Sequence, residues 1–317
     1  LGAAATAAAT ALMYVVASRL PRHRIVPAAW LLALGLMQVV FVTLGADSDA
    51  DLCLLERWAP WIAALPRGLG VRGAAPWSTF RYDALRLISF AADVAAGEAH
   101  LDFDCLLAYQ LYPPLAPAGP VLGYADFAGQ LRAPRPWTRG RLALYLLVTL
   151  GVMAVAELSL YVLYFPAWLG PATPAEDALA MGPWLLFGAL HWLLQFEWLA
   201  LAAIWRLPRF VALVDGVSAP EDMLGPVCFP LGFRDVWRLW HASLNKWSVK
   251  YIYLPLGGKK RTWAAVPATF AFVAFWHDIR GLGDRPFWYV WAVLNSAFFA
   301  LEAQLVPAGR PAGRPRA

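Results

Sequence analysis

Charge is what this chain has least of. Only 15% of its 317 residues are Asp, Glu, Lys or Arg, against about 25% in soluble domains. Hydrophobic residues make up 60%, and that balance excludes an ordinary soluble domain. Cysteine is scarce as well: Cys53, Cys105 and Cys228 have no paired spacing and form no CxxC, which argues against a disulfide framework and against a thiolate metal site. No GxSxG, HExxH, P-loop or dinucleotide-binding glycine fingerprint occurs, so the hydrolase, metalloprotease and nucleotide-binding chemistries that those motifs carry have no carrier here. Internal repeats are absent, and so is a signal peptide with a cleavage site. The chain starts at Leu1 and reads as a fragment of a longer protein.

What is present is apolar length. Runs close to the roughly 20 residues that span a bilayer occur at Leu1 to Ala17, Ile25 to Gly45, Leu142 to Leu163, Leu179 to Trp205 and Pro286 to Val306, with a shorter one at Trp263 to Trp276. These predict an all-α, polytopic integral membrane protein, a single membrane-embedded domain over residues 1–317 whose residues 308–317 form a disordered tail. Between Trp58 and Phe127 the hydropathy is broken by Pro, Gly and charge, and an odd number of crossings is expected there without being placed. Within that stretch "LYPPLAPAGPVLG" (Leu111 to Gly123) cannot be one uninterrupted helix, because proline removes a helical N–H and clashes one turn back. It reads as a re-entrant or interfacial element. The basic clusters Arg19, Arg22, Arg24 and Arg132, Arg135, Arg139, Arg141 alternate with the acidic Asp47, Asp49, Asp51 and Glu176, Asp177. The positive-inside rule then puts the segment Arg206 to Arg261 on the cytoplasmic side. The net charge of +5 reflects that bias and not nucleic-acid binding.

Polar side chains concentrate in "VWRLWHASLNKWSVKYIYLPLGGKK", Val236 to Lys260. On a helix, Trp237, Trp240, Leu244, Trp247 and Tyr251 recur at steps of three and four and make one apolar stripe. Lys246 and Lys250 fall on the opposite face. An amphipathic interfacial helix is predicted, with His241 and Asn245 four apart on one edge of the stripe. Pro255, Gly257 and Gly258 would stop it ahead of Lys259, Lys260 and Arg261. A second concentration is "FVAFWHDI", Phe272 to Ile279. Helical rise carries His277 roughly 24 Å inward from Arg261, so it either lies deep in the hydrocarbon or, with Asp278, opens the following loop. Glu157, His191, Gln195, Glu197, Asn295 and Glu302 are further polar residues within apolar runs, where pairing between neighbouring helices is the simplest use.

These two stretches closely resemble the membrane-bound O-acyltransferase family, in the branch that holds hedgehog acyltransferase and the Gup proteins. "FRYDALRLISFAAD" (Phe80 to Asp93), "YPPLAPAGPVLGYADF" (Tyr112 to Phe127) and "IWRLPRFVALVDGVSAPEDM" (Ile204 to Met223) add matches in the same order. The resemblance implies a multi-helix bundle around a transmembrane tunnel, acyl-CoA entering from the cytoplasm, and an acceptor arriving from the lumen. It places the essential histidine, in the "WH" of Trp276 and His277, at His277 and a second site position at His241; Trp276, Asn245 and Arg238 are taken as supporting residues beside them. Cys228 falls outside the family's usual arrangement near "PEDM" and takes no role.

Acyl transfer from a thioester needs a base for the hydroxyl proton and a donor for the oxyanion. His277 is assigned as base, while His241 orients either the acceptor or the thioester carbonyl. Acyl-CoA would be held by Trp237, Trp240 and Tyr253, with Lys246, Lys250, Lys259, Lys260 and Arg261 on its phosphates; lipid headgroups are the alternative partners of those cations. No metal or resident cofactor is expected, acyl-CoA being a co-substrate. The acceptor implied is a lipid or glycolipid, such as a lyso-glycosylphosphatidylinositol, at the endoplasmic reticulum membrane. A polyol transporter using Glu197 and His191, and a non-catalytic relative, are the competing functions. Both lose ground because His241 and His277 are both retained.

Overall fold

Proline and glycine set most of the boundaries between helices. In the computed structural model, which describes residues 2–44, 77–116, 119–134, 136–163, 182–230, 232–277 and 286–305, every regular element is helical. In chain order these are α1 (Gly2–Arg19), α2 (Arg22–Leu44), α3 (Trp77–Ala96), α4 (Phe103–Leu111), α5 (Tyr124–Arg132), α6 (Arg139–Leu163), α7 (Pro183–Val214), α8 (Phe233–Leu239), α9 (Ala242–Ser248), α10 (Thr262–His277) and α11 (Phe287–Leu305). A π turn at Val249–Tyr253 prolongs α9, and a 3-10 turn at Gly258–Arg261 leads into α10. Each apolar run singled out in the sequence is occupied by a helix. Among the described residues, the stretch Arg139–Ser159 of α6 and the whole of α7 are long and apolar enough to cross a membrane. The tail beyond Leu305, Asp278, and residues Trp58 to Pro76 of the stretch to Phe127 in which crossings were expected lie outside the described residues; its described part holds α3, α4 and the start of α5.

The chain divides into two compact units, one of residues 1–133 and 246–317 and one of residues 134–245. In the first, α3 is central. Tyr82, Ala84, Leu85, Leu87, Ile88, Phe90 and Ala91 are buried on it, and so are Asp83, Arg86, Ser89 and Asp93. Buried charge has to be paired, and here it is. Asp83 accepts from Thr6 on α1 at 2.7 Å and pairs with Arg86 at 3.2 Å. Asp93 accepts from the Tyr251 hydroxyl at 2.9 Å and the Ala125 amide at 2.8 Å, and pairs with Lys250 at 2.8 Å.

The described residues of the proline-rich link between α4 and α5 are not helical: the link turns at Pro113 to Ala116 and is irregular from Gly119 to Gly123. Its backbone is satisfied by side chains: Arg86 donates to the Leu115 carbonyl and Tyr109 to the Leu122 carbonyl. Gly123 is where two parts of this unit come close, since a Cβ there would meet the Tyr251 hydroxyl at 2.9 Å. Trp30, Trp247 and Phe272 form an aromatic cluster joining α2, α9 and α10, with ring centroids 5.3 to 6.3 Å apart.

In the second unit α6 packs against α7. The sequence suggested a span ending at Trp205, before Arg206 and Arg209. The helix instead continues through both arginines and Pro208 to Val214. Those charges do not end it because Glu221 accepts from Arg206 at 3.0 Å and Arg209 at 2.9 Å.

Asp93→Ala would leave the buried Tyr251 hydroxyl and Ala125 amide without their acceptor, at about 1–3 kcal/mol for each such group. The expected outcome is a clearly lowered melting temperature for the full-length protein in detergent, with Lys246→Ala, at an exposed position, unchanged. Equal melting of the Asp93 variant and wild type would refute the pairing.

Candidate active site

The stripe from Trp237 to Tyr251 is not one helix. α8 ends at Leu239, Trp240 is extended (φ −90°, ψ 128°), and His241 has φ 44° before α9 begins at Ala242. The cause lies in the segment after α7. Leu224 donates its amide to the Leu239 carbonyl at 3.0 Å, and Ala242 donates to the Asp222 carbonyl at 2.7 Å. These bonds take up backbone groups that a continuous helix would have used internally, and they turn His241 off the helix surface.

The His241 ring is buried, at 8% exposure. It stacks on Trp205 of α7 with centroids 4.2 Å apart and planes 28° from parallel. Its Nδ1 lies 3.0 Å from Asp222 Oδ1, which also accepts the Ser243 amide at 2.9 Å. Asp222 itself is 1% exposed, and its Oδ2 is buried without a hydrogen-bond partner among the described residues. The residue before it, Glu221, is anchored by Arg206, Arg209 and the Tyr145 hydroxyl, the last at 3.0 Å. Both guanidiniums also lie over the Tyr145 ring, 4.4 and 4.9 Å from its centroid. Asn245, expected beside His241 on a helix face, is linked to it through the backbone, its amide donating to the His241 carbonyl at 2.9 Å. The side chain that meets the His241 ring nitrogen is that of Asp222.

His277 is the last residue of α10, in the first unit. Its Nδ1 lies 2.8 Å from the Val273 carbonyl one turn back. A carbonyl oxygen only accepts, so Nδ1 carries the proton and Nε2 holds the ring's lone pair in the neutral form. The ring stacks on Trp288 of α11 at 4.4 Å, with planes 22° apart, and meets the edge of Trp276 at 4.9 Å. Trp276 is buried, donates its indole N–H to the Arg81 carbonyl at 3.1 Å and packs on Tyr82. It fixes the end of α10 against α3 and thereby places His277.

The remaining candidates fall into two groups. Trp240 packs on the cluster of Ala202, Trp205 and Met223, while Trp237 meets Phe233 edge-on. Tyr253 is half-buried beside Gly258, 3.5 Å from the Cβ that glycine lacks. Among the cations, Lys246, Lys259, Lys260 and Arg261 are exposed. Lys250 is engaged, at 2.8 Å from Asp93 and 2.7 Å from Glu98. Burial pulls its ammonium down, but the hydrogen bonds to Asp93 and Glu98 outweigh this and hold it above the ordinary lysine value. Arg238 makes an exposed ion pair with Asp235 at 2.8 Å. Sequence reasoning missed Asp222, Trp205 and Trp288. Asp222 was inside a quoted motif, yet nothing in a lone acidic residue nineteen positions before a histidine announces contact with it.

With this geometry in place the comparison with known proteins is direct. The membrane-bound O-acyltransferase family model matches residues 54–313. The chain belongs to this family. It is 31% identical over 244 residues to the membrane-bound O-acyltransferase GUP2 of Saccharomyces cerevisiae, covering 71% of this chain and 38% of that protein. It is 32% identical over 189 residues to the membrane-bound O-acyltransferase gup1 of Schizosaccharomyces pombe, covering 56% and 32%. The protein-cysteine N-palmitoyltransferase HHAT of Mus musculus is 26% identical over 209 residues, covering 63% and 40%. The chain therefore spans about two fifths of the length of the first of these relatives. Family membership, with α6 and α7 as membrane-length helices, marks it as a membrane protein that is helical in its described regular elements, and both histidine environments fall inside the matched region.

The left-handed backbone at His241 can be tested apart from chemistry. An L side chain there is strained, and glycine is not. His241→Gly is expected to melt above His241→Ala, by about 1 kcal/mol in unfolding free energy, the left-handed cost of roughly 1–2 kcal/mol that alanine bears less the roughly 0.5–1 kcal/mol of extra chain entropy that glycine loses. The reverse order would mean that the residue is not held at positive φ.

Proposed function

We propose that this protein is an acyl-CoA-dependent O-acyltransferase, passing a fatty acyl group to a hydroxyl of a lipid or glycolipid at the endoplasmic reticulum membrane. The observation that carries the reading is the state of His277, whose Nδ1–H is engaged by the Val273 carbonyl so that Nε2 is left as the accepting nitrogen. Nε2 would take the proton of the acceptor hydroxyl as its oxygen adds to the thioester carbonyl. The tetrahedral intermediate then expels the coenzyme A thiolate, which takes that proton from the imidazolium. Bonds and protons balance without a covalent enzyme intermediate, and the chemistry is complete with acyl-CoA as the only co-substrate.

Trp276 and Trp288 hold the ring in place. The exposed Lys259, Lys260 and Arg261 of the 3-10 turn suit the coenzyme A phosphates. Lys250 is reassigned from that role to structure, because Asp93 and Glu98 already occupy it. Similarity to the GUP proteins supports a lipid acceptor, with a lyso-glycosylphosphatidylinositol as the candidate. Mouse HHAT carries a protein acceptor in its name. The transporter alternative draws no support from α7, where His191 and Glu197 are both exposed.

The deciding measurement is transfer of label from acyl-CoA to a total lipid extract by full-length protein in detergent, wild type against His277→Ala. A positioned base contributes on the order of 10²–10⁴ in rate, and a loss of that size with unchanged melting temperature is expected. Label on protein instead of lipid would move the acceptor, while equal activity of the variant would remove His277 as base. In a second experiment, reversing charge with Lys259→Glu and Lys260→Glu is expected to raise the KM for acyl-CoA and leave kcat nearly unchanged. An unchanged KM would assign these lysines to lipid headgroups.

A further inference from the structure

The structure assigns Asp222 as the positioning residue that turns His241 into a hydrogen-bond acceptor for the hydroxyl-bearing substrate. This inference rests on the acyltransferase reading and decides what His241 faces. Asp222 Oδ1 already accepts the Ser243 amide at 2.9 Å. A carboxylate oxygen so engaged can only accept again, so the proton in the 3.0 Å contact with His241 belongs to Nδ1. A neutral imidazole that donates from Nδ1 has its lone pair on Nε2. Such a nitrogen accepts from an alcohol O–H, here a second hydroxyl of the lipid or glycolipid, since the reacting one gives its single proton to His277; it offers nothing to a thioester carbonyl, which needs a donor.

Three further observations point the same way. Trp205 stacks on the ring at 4.2 Å and removes its freedom to tilt. The Asp222 main chain is fixed independently by the Ala242 amide, at 2.7 Å from its carbonyl, and by the anchoring of neighbouring Glu221 to two arginines. The second oxygen, Oδ2, is buried and has no hydrogen-bond partner among the described residues. Holding an imidazole in a single tautomer needs only Oδ1, so that role asks nothing of Oδ2. The orientation resembles the carboxylate-to-histidine link that fixes the tautomer in hydrolytic triads, although no nucleophile is implied here.

The test uses the full-length protein with 15N-labelled histidine imidazoles, His241→Gln identifying the resonances of interest. At a pH where the ring is neutral, His241 is expected to show a protonated Nδ1 and an unprotonated Nε2. Asp222→Ala should release the ring to a mixture of tautomers. With palmitoyl-CoA as donor and a titrated microsomal lipid extract as acceptor, the same variant should lose about a hundredfold in turnover. Its half-saturating lipid should rise while the KM for palmitoyl-CoA stays near wild type. Asp222→Asn keeps an oxygen for both donors and is expected to keep the Nδ1–H signature and to be more active than the alanine variant.

A protonated Nε2 in the wild-type spectrum overturns the inference whatever the activity, and that spectrum decides even if Asp222→Ala does not fold. A folded alanine variant with full activity, or with its defect confined to the KM for palmitoyl-CoA, overturns it as well. If the wild-type protein transfers nothing, the acyltransferase reading falls together with the catalytic half of this proposal, while the spectrum still decides the tautomer.

Discussion

The charged cluster around Glu221 is the constraint on which the second unit depends. A carboxylate half-withdrawn from water is stabilised by donors around it, and the half-buried Glu221 draws two guanidiniums and a phenol from α6 and α7. Several features follow from that single requirement. α7 runs on through Arg206 and Arg209 because both cations have a partner beside them. Arg209 also donates to the Ala219 carbonyl at 2.7 Å, which fixes the chain as it leaves the helix. The chain is then held at residues 219 and 221, and residue 222 has little choice about where its side chain goes. Removing one member of such a cluster leaves the others as uncompensated charge, so its cost exceeds the worth of any one bond.

The first unit solves the same problem with different partners. α3 carries Asp83, Arg86 and Asp93 in its interior, and each is answered from an element distant in sequence. Thr6 answers Asp83, the Leu115 carbonyl answers Arg86, and Tyr251 with Lys250 answers Asp93. These bonds select one arrangement of helices that hydrophobic burial alone would leave loosely specified. They also explain how a proline-broken stretch sits among buried residues. Its carbonyls are taken by Arg86 and Tyr109, so the irregular backbone is satisfied where a helix cannot form.

The helices in the long apolar runs were legible in the sequence because length and apolarity are local properties, whereas α3, α4 and α5 were not placed, the hydropathy there being broken by Pro, Gly and charge. The interruption at Pro113 to Gly123 was legible too, since proline chemistry needs no neighbour. The end of α7 was not, because whether Arg206 terminates or continues a helix depends on Glu221, fifteen residues away and in contact only after folding. The same holds at Trp240 and His241. The stripe Trp237, Trp240, Leu244, Trp247, Tyr251 has the right period for one helix, yet the backbone breaks there because residues 222 to 224 supply competing hydrogen bonds. Lys250 looked like a free cation from sequence for a related reason, its carboxylates lying about 150 positions upstream. Periodicity reports faces and says nothing about which partner will claim a backbone group or a charge.

The break at His241 is the feature that a purely structural account explains least well. A non-glycine residue at φ 44° costs of order 1–3 kcal/mol and persists only where its surroundings over-determine it. Here they do so from several directions. Its amide meets the Met223 sulfur at 3.5 Å, its carbonyl opens α9 by accepting from Asn245, and its ring is held between Asp222 and Trp205. A glycine would satisfy the same backbone without strain, and a histidine in a continuous helix would sit beside Asn245 and out of reach of Asp222. Strain is therefore accepted at the one position where it brings an imidazole against a buried carboxylate. His277 reaches an equivalent tautomer with no strain at all, from a carbonyl of its own helix. Holding the second ring requires a separate segment, a buried charge and a distorted residue, and such an arrangement is intelligible if the direction of that ring's lone pair matters more than the stability it costs.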